Sequence, residues 1–169
     1  MRHLFVLITA LFLVSILNAQ VSVNLNYNLD KQPAWGPTGY DYVEYYYLPD
    51  IEAYYYVPQQ RYYYYDSGRW IYSSNLPSRF KSYDIYNSYK VVVNEPKPWR
   101  NHKAYREQYI IYKDRHDQHP IRDSRDSKYF VNKNHPEHSN WVKQQKHDNG
   151  NRNDGNKNNN RDKRGKNKK

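Results

Sequence analysis

The chain has 169 residues, 21 of them tyrosine, no cysteine, and a formal net charge of +10. That length suits one small domain with extensions. The lack of cysteine excludes disulfides, thiolate metal sites, a thiol nucleophile and a lipid-modified N-terminal cysteine, so the fold must be held by packing alone.

Residues 1–19 read as a secretion signal. Arg2 and His3 start it, Leu4 to Leu17 is apolar apart from Thr9 and Ser15, and Leu17-Asn18-Ala19 offers a small-residue cleavage site before Gln20. The apolar run is shorter than the ~20 residues that span a bilayer, and no second run follows. An exported protein, periplasmic or at the cell surface, is expected, with no transmembrane segment after cleavage. Residues 20–39 form an extended arm. Val21, Val23 and Leu25 alternate with Ser22, Asn24 and Asn26, then Pro33, Gly36, Pro37 and Gly39 break regular structure.

Residues 40–112 form a tyrosine-rich β domain. Short runs of Tyr, Val and Ile are separated by Leu48-Pro49-Asp50, Val57-Pro58-Gln59-Gln60 and Asp66-Ser67-Gly68, the pattern of an antiparallel meander of about four short strands. With Asp66-Ser67-Gly68 as a three-residue loop, Tyr64 faces Trp70 and Tyr62 faces Tyr72. With Pro58-Gln59-Gln60 as another, Tyr56 faces Tyr62 and Tyr54 faces Tyr64. Tyr54, Tyr56, Tyr62, Tyr64, Trp70 and Tyr72 then share one face. Ala53, Tyr55, Val57, Tyr63, Tyr65 and Ile71 share the other, with Ile51. A slip of one residue in either loop exchanges faces. Leu76-Pro77 ends the meander, and Lys90 to Val93 is a further short strand. Asn101 can cap a helix over 102–112, where Tyr105, Gln108, Tyr109 and Tyr112 recur at helical spacing. The fold class is therefore mainly β, a small α+β domain with one C-terminal helix.

Residues 113–169 read as a basic, disordered tail. They carry sixteen Lys and Arg against eight Asp and Glu, whereas residues 1–112 carry eleven against nine. Tyr129, Phe130, Val131, Trp141 and Val142 are isolated apolar islands in a segment with few aliphatics, too little apolar surface to offset ordering entropy.

Tyr46-Tyr47-Leu48-Pro49-Asp50-Ile51-Glu52, Gly68-Arg69-Trp70-Ile71, Leu76-Pro77, Asp84-Ile85-Tyr86 and Lys90-Val91-Val92 resemble an uncharacterised family of small, secreted, tyrosine-rich proteins of Gram-negative bacteria. The resemblance spans about residues 40–110. It implies export and a shared domain, and brings no catalytic residues.

Two candidate surfaces follow. The six aromatics of the first face could stack sugar rings or a partner's apolar surface. Equally, they could supply the core of a domain short of aliphatics, because aromatic cross-strand pairs stabilise sheets by ~0.2–1 kcal/mol each. Arg161, Lys163, Arg164, Lys166, Lys168 and Lys169 could hold a polyanion by counterion release. The interspersed acidic residues weaken that patch and disfavour specific nucleic-acid recognition. His116-x-x-His119 and His135-x-x-His138 have metal-ligand spacing, but Pro120 and Pro136 oppose the helix that would align them, so no metal is expected. Asp50 and Glu52 lie on one face of an expected strand as a possible carboxylate pair. No nucleophile elbow, phosphate loop or zinc-protease spacing occurs, so no enzyme and no cofactor are expected. An unrecognised hydrolase is the residual alternative. The expected role is an exported structural or adhesive cell-envelope protein. The alternative is a secreted glycan- or polyanion-binding module, its partner an envelope glycan, a polyanion or another envelope protein.

Overall fold

The structure is a computed structural model that describes residues 27–147. The expected signal, the start of the expected arm and the six basic tail residues lie outside the described residues. Five antiparallel strands form one sheet: β1 (Tyr45–Leu48), β2 (Ala53–Tyr56), β3 (Arg61–Asp66), β4 (Arg69–Ser73) and β5 (Val91–Val93). Their order is β4-β3-β2-β1-β5, so β1 to β4 are a meander and β5 returns to the outer side of β1. Helix α1 (His102–Tyr109) is extended by one 3-10 turn, Ile110–Tyr112. A second helix, α2, begins at 138 and runs to the end of the described residues. Among the described residues no helix is long and apolar enough to cross a membrane.

Turn chemistry sets a register different from the expected one. Asp66 pairs with Arg69, leaving only Ser67 and Gly68 in the loop. Both have positive φ, 49° and 82°, as a type I′ turn requires, and that turn matches the twist of its flanking strands. The preceding connection holds four residues, with Tyr56 paired to Arg61 and Gln60 left-handed at φ 54°. Each loop thus shifts the pairing by one. The two shifts cancel at β4, so only β3 is turned over. Tyr63 pairs with Tyr54 and Tyr72, while Tyr62 pairs with Tyr55 and Ser73. Tyr62 and Tyr64 therefore leave the expected aromatic face, and Tyr63 and Tyr65 join it.

Both faces are covered. On one, Tyr45, Tyr47, Tyr54 and Val93 pack beneath Tyr105 of α1, with Tyr56, Tyr63, Trp70, Trp99 and Tyr109 around them. Trp99 stacks on Tyr63 at 4.2 Å and 11°. Asn101 stands at the N-cap of α1 but makes no side-chain cap bond, because a 3-10 turn over Pro98–Asn101 feeds the helix directly. On the other face, Trp35 sits edge-on to Tyr46 and Tyr55 at 5.3 and 4.9 Å, among Val43, Leu48, Ala53, Val57 and Tyr64. Gly36 permits that approach, since a Cβ there would lie 2.7 Å from the Tyr46 hydroxyl. Residues 27–39 are thus a cover over the sheet rather than an extended arm.

The expectation of disorder from 113 onward is corrected for residues 113–147. Ile121 N–H donates to Gly36 C=O at 2.7 Å, Arg122 N–H to Ala34 C=O at 2.8 Å, and Thr38 N–H to His119 C=O at 3.0 Å. Ile121 and Tyr129 are buried, and the Tyr129 hydroxyl accepts from Gly39 N–H at 2.6 Å. Asn132 is buried too and donates its amide to the carbonyls of Leu29 and Gln32. The Arg122 guanidinium lies 4.1 Å over the Tyr86 ring. Mean composition is a poor guide here. Two well-placed apolar residues and a buried amide anchor a polar segment once 27–39 supplies backbone groups that need partners.

Candidate ligand-binding cleft

The six expected platform residues do not form a platform. Tyr54 and Tyr64 are buried on opposite faces of the sheet, Tyr56, Tyr62 and Trp70 are half-buried, and only Tyr72 is well exposed. The rings are mainly core.

A cleft of about 420 Å³ opens instead at one end of the sheet. Three neighbouring segments reach that end. The β1–β2 turn supplies Ile51 and Glu52, the β3–β4 hairpin supplies Tyr64, Tyr65 and Trp70, and the 3-10 turn Ser78–Phe80 supplies Arg79 and Phe80. Helix α1 adds His102 and Arg106, one turn apart on the side it lays toward the sheet. Asp50 and Glu52 are not on a strand. They belong to the turn, and Glu52 is left-handed at φ 51°. The Asp50 carboxylate accepts from Asp114 N–H at 2.8 Å, which sends the two carboxylates to different tasks.

His102 is the hub. Its Nδ1 lies 3.1 Å from the Tyr54 hydroxyl, and its Nε2 lies 3.5 Å from Glu52 Oε2. Burial raises the Tyr54 pKa far above the ordinary phenol value, so that hydroxyl keeps its proton. Burial lowers the His102 pKa, with Glu52 opposing and Arg106 assisting, so the ring is neutral at pH 7. The Glu52 carboxylate beside Nε2 holds the ring's one proton there, which leaves Nδ1 to accept from Tyr54. The His102–Glu52 contact is therefore a neutral donor facing a carboxylate, not an ion pair. With Nδ1 occupied and Nε2 protonated, the imidazole has no lone pair to offer as a general base.

The walls combine rings with charged forks. Trp70 stands edge-on to His102 at 4.9 Å and to Tyr65 at 5.6 Å. Arg79 donates to Asp66 Oδ1 at 2.6 Å and to Tyr65 C=O at 3.0 Å, with its guanidinium over Tyr64 and Phe80. Arg106 differs, since its closest approach to Glu52 is 3.9 Å, beyond hydrogen-bond length. Glu52 Oε2 and the Arg106 guanidinium thus both line the cleft, close to each other but not hydrogen-bonded.

Sequence reasoning placed Tyr64 on the wrong face of the sheet and did not single out His102, Arg79 or Arg106. A usable clue was present: His102, Tyr105, Arg106 and Tyr109 follow i, i+3, i+4, i+7 spacing, which puts the polar pair on the sheet-facing stripe. His135 is buried, with Nε2 3.0 Å from Ser124 C=O and Nδ1 accepting from Glu137 N–H at 3.0 Å, so both ring nitrogens are used. Among the described residues no three His, Cys, Asp or Glu side chains gather as metal ligands.

Comparison with protein-family models, curated proteins and solved structures found no match to this chain.

Proposed function

We propose that this is an exported, non-catalytic cell-envelope protein that attaches to glycans, holding a saccharide in the cleft between Trp70 and Arg106. The adhesive role and the glycan-binding role then become one. The observation that carries it is the placing of Glu52 Oε2 and the unjoined Arg106 guanidinium next to each other in the cleft that Trp70 and Tyr65 also line. Vicinal sugar hydroxyls both donate and accept, and that pair offers an acceptor and a fork of donors side by side. Ring faces of a sugar are apolar, and Trp70 with Tyr65 gives them a rigid wall. A neutral His102 keeps the cleft from becoming strongly cationic.

The test is titration calorimetry with soluble peptidoglycan fragments and neutral hexose oligomers. Trp70→Ala and Tyr65→Ala should each weaken binding by about tenfold or more, taking ~1–3 kcal/mol per stacked ring by analogy with bases. Tyr72→Ala, exposed but away from the cleft lining, should bind as the parent does. Circular dichroism checks that each variant is folded. No binding to any probe, or equal losses at Tyr72 and Trp70, would sink the reading.

A further inference from the structure

We infer that β4, the edge strand beside the cleft, pairs antiparallel with β4 of a second copy of this chain. The hairpin fixes which backbone groups face outward. A two-residue turn closes on a hydrogen-bonded pair, here Asp66 with Arg69, and bonded pairs alternate along an antiparallel ladder. Tyr64 with Ile71 and Tyr62 with Ser73 are then bonded pairs too, whereas Trp70 and Tyr72 turn their N–H and C=O groups away from β3. Arg79 agrees with this phase: it donates at 3.0 Å to the C=O of Tyr65, the partner of Trp70, which the ladder leaves free. Among the described residues no hydrogen bond reaches the outward groups of Trp70 and Tyr72. The sheet's other edge is guarded. Just before β5 the Gln118 amide accepts from Lys90 N–H at 2.8 Å and donates to its C=O at 2.9 Å, and just after β5 the Asn94 side chain accepts from Glu44 N–H at 2.8 Å. Side-chain plugs, prolines and bulges keep an edge from taking a further strand, and β4 has none of them.

The occupant is set by how well β4 matches itself. With the twofold axis at Ile71, Trp70 meets Tyr72 of the second copy and Tyr72 meets its Trp70, so every outward group of both strands is bonded. With the axis at Trp70 or at Tyr72, one of these residues faces Gly68 or Ser74 outside the strand instead. The side chains favour the same centre. On the α1 side each Trp70 stands opposite a Tyr72, an aromatic cross-strand pair that covers a ring otherwise 61% exposed and already steadied by the Arg61 guanidinium at 5.1 Å. On the other side Ile71 stands opposite itself. The exposed Arg69 faces Ser73, which keeps the two Arg69 charges at opposite ends of the paired stretch. The new strand lies on the side of Trp70 away from Tyr65, so each cleft remains within one protomer.

Sedimentation equilibrium of the chain from Gln20 to Lys169, from micromolar to millimolar, tests this. The parent should pass from monomer to dimer. Tyr72→Pro removes an N–H that the domain itself does not use and should weaken the dimer about tenfold or more. Ser73→Asp sets a carboxylate opposite Arg69 of the second copy and should tighten it about threefold or more, while Ser73→Arg should weaken it by a similar factor. Adding Arg69→Ser to Ser73→Asp should cancel the gain. In amide exchange by NMR, Trp70 N–H should exchange about tenfold or more slowly in the dimeric parent than in Tyr72→Pro, and Tyr46 N–H, at the sheet centre, should exchange alike in both, showing that the domain is intact. A parent that stays monomeric overturns the assignment, as does a dimer that a folded Tyr72→Pro leaves unweakened. Equal effects of Ser73→Asp and Ser73→Arg overturn it too, because Arg69 then does not face Ser73.

Discussion

Lys90 offers the sharpest test of the packing. It is 1% exposed, and its Nζ donates to Tyr86 C=O at 3.0 Å. Burial lowers its pKa from 10.5 to about 8, with Asp84 and Asp50 opposing. For a base, a depressed folded pKa means stability is present above the unfolded value and lost as pH falls toward the folded one. That loss amounts to about 3 kcal/mol at pH 7, where both states hold the proton, and about 2 kcal/mol at pH 9. Lys90→Met removes this cost and forfeits the bond to Tyr86, worth about 1 kcal/mol. The variant should therefore be more stable by about 2 kcal/mol at pH 7 and about 1 kcal/mol at pH 9. Urea denaturation of both proteins at the two pH values reads the difference. Tyrosine ionisation is common to both chains and cancels. A Met variant less stable at pH 7, or a difference unchanged between pH 7 and 9, would refute the reasoning.

The tyrosine core should make the domain sensitive to base. Burial raises the pKa of eleven tyrosines: 45, 46, 47, 54, 55, 56, 62, 63, 83, 89 and 105. An acid with a raised folded pKa stabilises fully below its unfolded value of 10.0 and loses that as pH rises, at up to about 1.4 kcal/mol per unit for each group. A domain of 5–15 kcal/mol stability (~typical) should thus unfold cooperatively near pH ~11, with phenolate absorbance and loss of circular dichroism coinciding; ionisation well ahead of unfolding would contradict the burial. Ile121→Ala, at a fully buried site in the stretch expected to be disordered, should cost about 2–5 kcal/mol by thermal denaturation. A neutral result there would mean that 113–147 adds nothing to the fold.

The strands and α1 were legible because their patterns are local. Turn residues bounded each Tyr-rich run, and the 3.6-residue recurrence of Tyr105 and Tyr109 marked the covering helix. The pairing of strands was not legible, because Asp66-Ser67-Gly68 fits a three-residue loop as well as a two-residue one. Only the positive φ of Ser67 decides between them. The place of 113–147 was hidden for a different reason. Its order depends on partners far away in sequence, such as Asn132 with Leu29 and Ile121 with Gly36, and no window along the chain contains both members. His102 and Arg106 lay on a recognised helix, yet their role depends on which turn the helix N-terminus meets.

The same one-residue difference that dissolves the expected platform builds the cleft. In a three-residue loop Trp70 would face Tyr64, and Tyr65 would lie on the opposite side of the sheet. In the type I′ turn Trp70 pairs with Tyr65, both rings stand on the α1 side, and Trp70 reaches His102. Tyr64 is left on the other face, where its ring carries the Arg79 guanidinium while Asp66, the last residue of β3, fixes that guanidinium from the side. Ser67 and Gly68 touch none of the lining residues' chemistry, yet they choose which aromatics meet the Glu52–His102–Arg106 group. Left-handed Glu52 plays the matching part at the β1–β2 turn, where its backbone aims the carboxylate toward α1 rather than along the strand. The cleft is thus a product of two turn conformations at one end of the sheet, and the half-buried Tyr54–His102 bond ties both to the core.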